Sequence, residues 1–127
     1  MKIYGIGTDI ANINRIKKSL KNKNFIDRLF NKNEIKKCNN QINKANCYAK
    51  RFAAKEAFAK ALGVGFRKNI NFKDIEVANN TYGKPYISIN KKISNKIKTL
   101  FKVKKFNILL SISDEKKYYI ASVIISK

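Results

Sequence analysis

Along the first half of this chain, apolar positions recur at helical spacing. Ile13, Ile16 and Leu20 fall on one face while Arg15, Lys17, Lys18 and Lys21 take the others, and Asn12 or Asn14 supplies a cap. Phe25, Ile26, Leu29 and Phe30 form a second apolar cluster, and Asn33-Glu34 opens another short helical piece. The alanine-rich stretch from Asn46 to Leu62 predicts a long helix closed by Gly63, with Gly63-Val64-Gly65 as a flexible loop. The second half has a different period. Asp74–Val77 and Tyr86–Ile89 read as strands around the turn Asn79–Pro85, which holds the single proline. A polar helix with Ile93, Ile97 and Leu100 follows. Two β-rich runs, Asn107–Ser113 and Tyr118–Ile125, are then joined by Asp114–Lys117, a hairpin signal. Ahead of all these, Ile3–Gly7 reads as a short strand loosened by two glycines and ending at Thr8-Asp9. With no repeat, linker or low-complexity tail, residues 1–127 predict one α+β domain.

Composition narrows the picture. The chain has 127 residues, 44% hydrophobic and 11% aromatic, enough for one modest core. Basic residues number 29 against 8 acidic ones, a formal charge of +21. Such a surface attracts polyanions: nucleic acid, anionic membrane, or an acidic protein or nucleotide. An abundance of Lys, Asn and Ile, residues with A/T-rich codons, is an alternative source of the lysine excess. Arg15, Arg28, Arg51 and Arg67 stand out, because Arg is the better fork for phosphate or carboxylate. Cys38 and Cys47 are too few for a zinc site and His is absent. The N-terminus lacks the apolar stretch of a signal peptide and no run is long enough to span a bilayer, so a cytoplasmic chain with two reduced thiols is expected.

With so few carboxylates, their positions carry information. Asp9 follows Gly5, Gly7 and Thr8 at the end of the first strand, where it could ligate a metal or cap a helix. On a helical projection Ala54, Phe58, Ala61 and Leu62 face a core, while Phe52, Glu56 and Lys60 share a row on nearly the opposite side. That row is either an exposed face with a Glu-to-Lys pair or, given Phe52 and the surrounding alanines, the wall of a site. Two carboxylates cannot fill the six-oxygen shell of magnesium. An Asp and a Glu flanked by Arg51, Lys55 and Lys60 instead suit a metal–diphosphate. Catalysis by a Ser-His-Asp triad or a Cys-His pair is excluded by the lack of His.

These residues resemble holo-acyl-carrier-protein synthases, the short single-domain phosphopantetheinyl transferases. The similarity runs through Ile6-Gly7-Thr8-Asp9-Ile10 with Arg15-Ile16, then Arg51 to Gly65, then Gly83-Lys84-Pro85-Tyr86, and finally Leu110–Asp114. The resemblance implies a small antiparallel sheet packed with helices and a magnesium-dependent enzyme. Such an enzyme moves phosphopantetheine from coenzyme A to a serine of apo acyl carrier protein, releases adenosine 3',5'-bisphosphate and serves fatty acid biosynthesis. By position, Asp9 and Glu56 match the family's magnesium ligands and Lys60 the lysine that steadies the diphosphate. Arg51, Lys60, Gly63, Pro85 and Ser113 match positions lining the coenzyme A pocket. Family members form homotrimers with active sites shared between subunits. Asn12 stands where many relatives carry an acid, Ala59 where many carry Ser, and Asp114 where some carry His, so none is assigned a role.

The basic surplus then has a use. Acyl carrier proteins are small and acidic, and Arg15, Lys18, Lys21 and Arg28 are candidates to dock one. A nucleic-acid-binding module is the rival from another class, yet the chain has no recognition-helix, zinc-finger or aromatic strand signature. A membrane-surface helix is the third reading, but Ile13, Ile16 and Leu20 serve more simply as core contacts. Neither nucleic acid nor membrane is therefore expected as a partner.

Overall fold

The structure is a computed structural model that describes residues 2–63 and 70–127. Val64 and Gly65 of the expected loop, and Arg67, lie outside the described residues. The elements run β1 (Ile3–Asn12), α1 (Ile13–Ser19), α2 (Lys23–Leu29), α3 (Lys32–Asn39), α4 (Lys44–Leu62), a 3-10 turn (Phe72–Asp74), β2 (Ile75–Asn79), β3 (Pro85–Ile89), α5 (Lys91–Phe101), β4 (Asn107–Glu115) and β5 (Tyr118–Ser126). One antiparallel sheet has the order β1-β5-β4 and a second pairs β2 with β3. The α+β expectation holds.

Helices α1, α2, α3 and α5 start where an asparagine side chain can accept a free backbone N–H. Asn12 accepts from Arg15, Asn22 from Asn24, Asn31 from Glu34 and Asn90 from Ile93. Helix α3 adds a capping box, because Glu34 reaches back to the Asn31 N–H. Helix α4 ends at Gly63, whose φ of 73° is the left-handed conformation that closes a helix.

The long helix α4 lies across one face of the three-stranded sheet and is buried nearly all round, with Ala53, Ala54, Ala57, Phe58, Ala59, Ala61 and Leu62 inside. Alanine suits this position because it lets backbones approach. The glycines of β1 do the same from the other side. A Cβ on Gly5 would sit 1.9 Å from the Ala61 carbonyl oxygen, and one on Gly7 2.0 Å from that of Ala57. They therefore do not loosen a short strand. They seat a helix on a long one, and β1 continues to Asn12 in unbroken register with β5 from Gly5 onward.

Two expectations about side chains are overturned. Cys38 and Cys47 are bonded as a disulfide, with Cα atoms 5.3 Å apart, because the turn after α3 folds the start of α4 back against its end. Lys55 is no flanking cation for a diphosphate. It is fully buried, and its ammonium donates to the Leu29 carbonyl (2.7 Å), the Phe72 carbonyl (3.0 Å) and the Glu34 carboxylate. Glu34 also accepts from the backbone N–H of Asn31 and of Val77. Every proton of the ammonium has an acceptor, the condition a buried charge must meet. Burial pulls the Lys55 pKa below its ordinary value, with Glu34 opposing the shift.

Replacing Gly7 with alanine forces strand and helix apart and should cost about 2–3 kcal/mol of stability by overpacking, read as a lower denaturation midpoint.

Candidate active site at the seam of the first strand and the long helix

The packing that places Gly7 under Ala57 also sets the next residue on the same side of β1, Asp9, against the outer turn of α4. There the Lys60 ammonium donates to Asp9 Oδ1 at 3.0 Å and to the Thr8 carbonyl at 3.2 Å. Asp9 is thus mid-strand rather than at a strand end, opposite Ala121 in the sheet. Its side chain is 16% exposed and that of Lys60 56%, so the pair sits at the mouth of the seam.

Glu56 precedes Lys60 by one turn on α4 and is half-buried. It lines a cavity of about 580 Å³ with Phe25, Arg28, Leu29, Phe52, Phe72 and Lys73 among its walls. Of the row Phe52, Glu56 and Lys60, the first two line this cavity while Lys60 stays mostly exposed outside it. One side of this cavity belongs to α2 and the other to the segment around the 3-10 turn. Arg28 stands at its rim, while Arg15, Lys18 and Lys21 lie on and just after α1.

The residues matched to the coenzyme A pocket divide into separate places. Arg51 is 2% exposed, with its guanidinium donating to the Cys47 carbonyl and lying 3.5 Å from Asn79 Oδ1. Asn79 pairs with Pro85 across β2 and β3, so Arg51 and Pro85 share one neighbourhood. Burial lowers the Arg51 pKa, with Glu34 and Glu76 opposing, and its Nε is buried with no hydrogen-bond partner among the described residues. Gly63 is twelve residues further along α4, about 18 Å away at 1.5 Å per residue. Ser113 lies within β4 beside Ile120, on the face of the sheet that turns away from α4. A single chain brings Asp9 and Lys60 into contact and keeps Glu56 one turn away. Of the other four matched pocket residues it sets only Gly63 beside them, its N–H bonded to the Lys60 carbonyl at 3.0 Å, and it keeps Arg51, Pro85 and Ser113 elsewhere.

Sequence reasoning missed the Glu34–Lys55 hub. Its one visible trace was the spacing Asn31-x-x-Glu34, a capping-box pattern. The aromatic walls Phe25 and Phe72 left no trace, since each reads as ordinary core.

Comparison with known proteins matches residues 5–122 to the family model described as the 4'-phosphopantetheinyl transferase superfamily. The chain belongs to this superfamily. It is an enzyme of the phosphopantetheinyl transferase type, as the sequence motifs implied. A holo-[acyl-carrier-protein] synthase of Pelagibacter ubique is 56% identical over 127 residues, covering 100% of this chain and 99% of the relative. The crystal structure of a holo-[acyl-carrier-protein] synthase from Neisseria meningitidis superposes with TM-score 0.87 at 35% identity, over 98% of this chain and 99% of that one. A Helicobacter pylori synthase solved in complex with coenzyme A superposes at 0.78 with 32% identity, covering 95% and 99%. These phosphopantetheinyl transferases share the full length of the fold and not just its central helix.

Two ion pairs among the described residues predict contrasting responses. Asp9→Asn breaks a partly exposed pair and should change stability by less than about 1 kcal/mol. Glu34→Ala leaves a buried ammonium uncompensated and should cost about 3–5 kcal/mol. Urea unfolding of both variants checks the contrast.

Proposed function

We propose that this transferase moves the phosphopantetheine arm of coenzyme A onto a serine of an apo acyl carrier protein in fatty acid biosynthesis, with magnesium as cofactor. The observation that carries the reading is the Lys60–Asp9 contact at the mouth of the β1–α4 seam, one helical turn from Glu56. Asp9 and Glu56 offer hard oxygen donors of the kind magnesium prefers. Among the described residues no group of three or more His, Cys, Asp and Glu side chains is placed to hold a metal. That donor set fits an ion completed by water and substrate phosphate oxygens, with Asp9 and Glu56 as its protein ligands. When bound, magnesium would supply positive charge at the diphosphate.

The chain's own groups do the rest. Lys60, mostly exposed and anchored through Asp9, reaches diphosphate oxygens without leaving its place. It offsets the charge that grows on the departing phosphate. The serine oxygen forms a bond to the phosphorus on the pantetheine side. The bond to the adenosine bisphosphate breaks, and the serine proton passes to a carboxylate or to water. Transfer of this kind depends on positioning more than on covalent help. Arg15, Lys18, Lys21 and Arg28 form a basic approach that suits an acidic carrier protein, and Arg28 leads it to the cavity at Glu56.

The working unit is a homotrimer in this proposal. The face of the β1-β5-β4 sheet opposite α4 carries Ile6, Ile10, Leu109 and Ile120, with Ile6 65% and Ile10 57% exposed. These flank a polar row in which Thr8 and Ser122 hydrogen-bond. An apolar sheet face of this kind fits a second copy of the chain. The same arrangement accounts for the divided pocket: Ser113 lies on that face, and Arg51 with Pro85 lies midway along α4, about 13 Å from Lys60 at 1.5 Å per residue. A site built between copies can unite groups that one copy holds apart.

With apo carrier protein, coenzyme A and magnesium, mass spectrometry should detect the added arm, and chelator should abolish it. Glu56→Gln should stay folded and lose at least about a hundredfold in metal-dependent transfer. Near-normal turnover would break the metal assignment. Reversing Arg15 and Lys18 to Glu should raise the carrier-protein KM with coenzyme A affinity little changed. A collapse of coenzyme A binding instead would break the docking assignment. Ile10→Lys should convert trimer to monomer in light scattering.

A further inference from the structure

The buried ammonium of Lys55 sits directly behind the cavity that Glu56 lines, and its bonds run to both of that cavity's walls. Leu29, at the end of α2, and Phe72, opening the 3-10 turn, are both lining residues. The carbonyls of these same two residues accept from Lys55 Nζ at 2.7 and 3.0 Å. Its third bond goes to Glu34, which in turn fixes the start of α3 and the N–H of Val77 on β2. The Phe30 ring closes the shell, with the ammonium 5.1 Å from its centre. Leu29 and Phe72 lie far apart in sequence, on either side of the whole of α4. A single cation on that rigid helix ties the two walls together.

From this geometry we infer that Lys55 is a positioning residue. Its ammonium sets the separation of the α2 wall from the Phe72 wall, and thereby the shape of the cavity that meets the carrier protein at Arg28. The inference rests on the transferase reading for its kinetic consequence, and on contacts alone for its structural one. Lys55 touches no substrate, since all three of its protons are already donated. Glu34 acts differently, compensating the charge so that the ammonium can stay buried. The two residues are therefore separable. Removing charge compensation weakens the fold and leaves the walls tied. Removing the ammonium unties the walls.

Two variants distinguish these roles. Glu34→Gln keeps the ammonium and its two carbonyl bonds. It should lower the melting temperature and leave the carrier-protein KM within about twofold of the parent. The double variant Lys55→Met with Glu34→Gln removes both charges together, so it should melt higher than Glu34→Gln. Its carrier-protein KM should nevertheless rise about tenfold while the coenzyme A KM stays level, the signature of a displaced wall and not of a weak fold. Amide hydrogen exchange gives a readout independent of turnover. The Phe30 and Asp74 amides, bonded to Ile26 and Asn71 beside the two anchored carbonyls, should exchange about tenfold faster in the double variant only. A double variant with native KM and native exchange would overturn the inference, as would Glu34→Gln matching the double variant in either. If the double variant fails to fold, Glu34→Gln decides alone, because a carrier-protein KM raised beyond about twofold, or exchange of those two amides about tenfold faster, refutes the separation of roles. If the parent chain transfers nothing, the enzymatic reading falls, and the exchange data still accept or reject the tie between the walls.

Discussion

The close seat of α4 on β1 governs the rest of this molecule. Two strand glycines and a helix face of alanines bring the backbones together until a single added methyl group would collide with a carbonyl oxygen. This contact fixes three things at once. It buries the helix on nearly all sides, it sets the sheet's inner face, and it puts the carboxylate of Asp9 under the ammonium of Lys60. Interiors packed this tightly transmit small displacements and do not absorb them. The site inherits its precision from the seam.

Two lysine–carboxylate pairs whose lysines share helix α4 illustrate how environment divides labour. Lys55 and Glu34 are buried and every polar atom of the pair is occupied, so their role is internal. Lys60 and Asp9 lie at the surface of the seam, where water screens the attraction and a ligand can take either partner. Five positions along one helix separate a buried structural cation from one open to solvent. Residue type does not distinguish them. Solvent access does.

The charge imbalance has a related logic. Glu34 lies in the core, Glu76 accepts from the side chains of Asn31 and Asn33, Asp9 is paired at the seam, and Asp27 and Glu56 line the cavity between α2, α4 and the 3-10 turn. Few acids remain to offset the lysines on the outside, so the exterior around α1 and α2 stays strongly basic. A surface of that kind accelerates encounters with acidic partners and weakens them with salt.

The periodicity of the chain by itself determined where most of the helices and strands lie, because such elements are written in local spacing and, for the helices, in their asparagine caps. The motif around Asp9, Glu56 and Lys60 likewise singled out the residues of the proposed site, since few acids in a basic chain leave few choices. The full length of β1, the roles of Gly5 and Gly7, the bond between Cys38 and Cys47, the burial of Lys55 and the scattering of Arg51, Pro85 and Ser113 were decided by tertiary structure alone. Each depends on what lies opposite a residue across a packed interface, often far away in the sequence. Burial, which turns one lysine into a core fastener and leaves another open to solvent, is a property of the folded neighbourhood and is written in no single stretch of sequence.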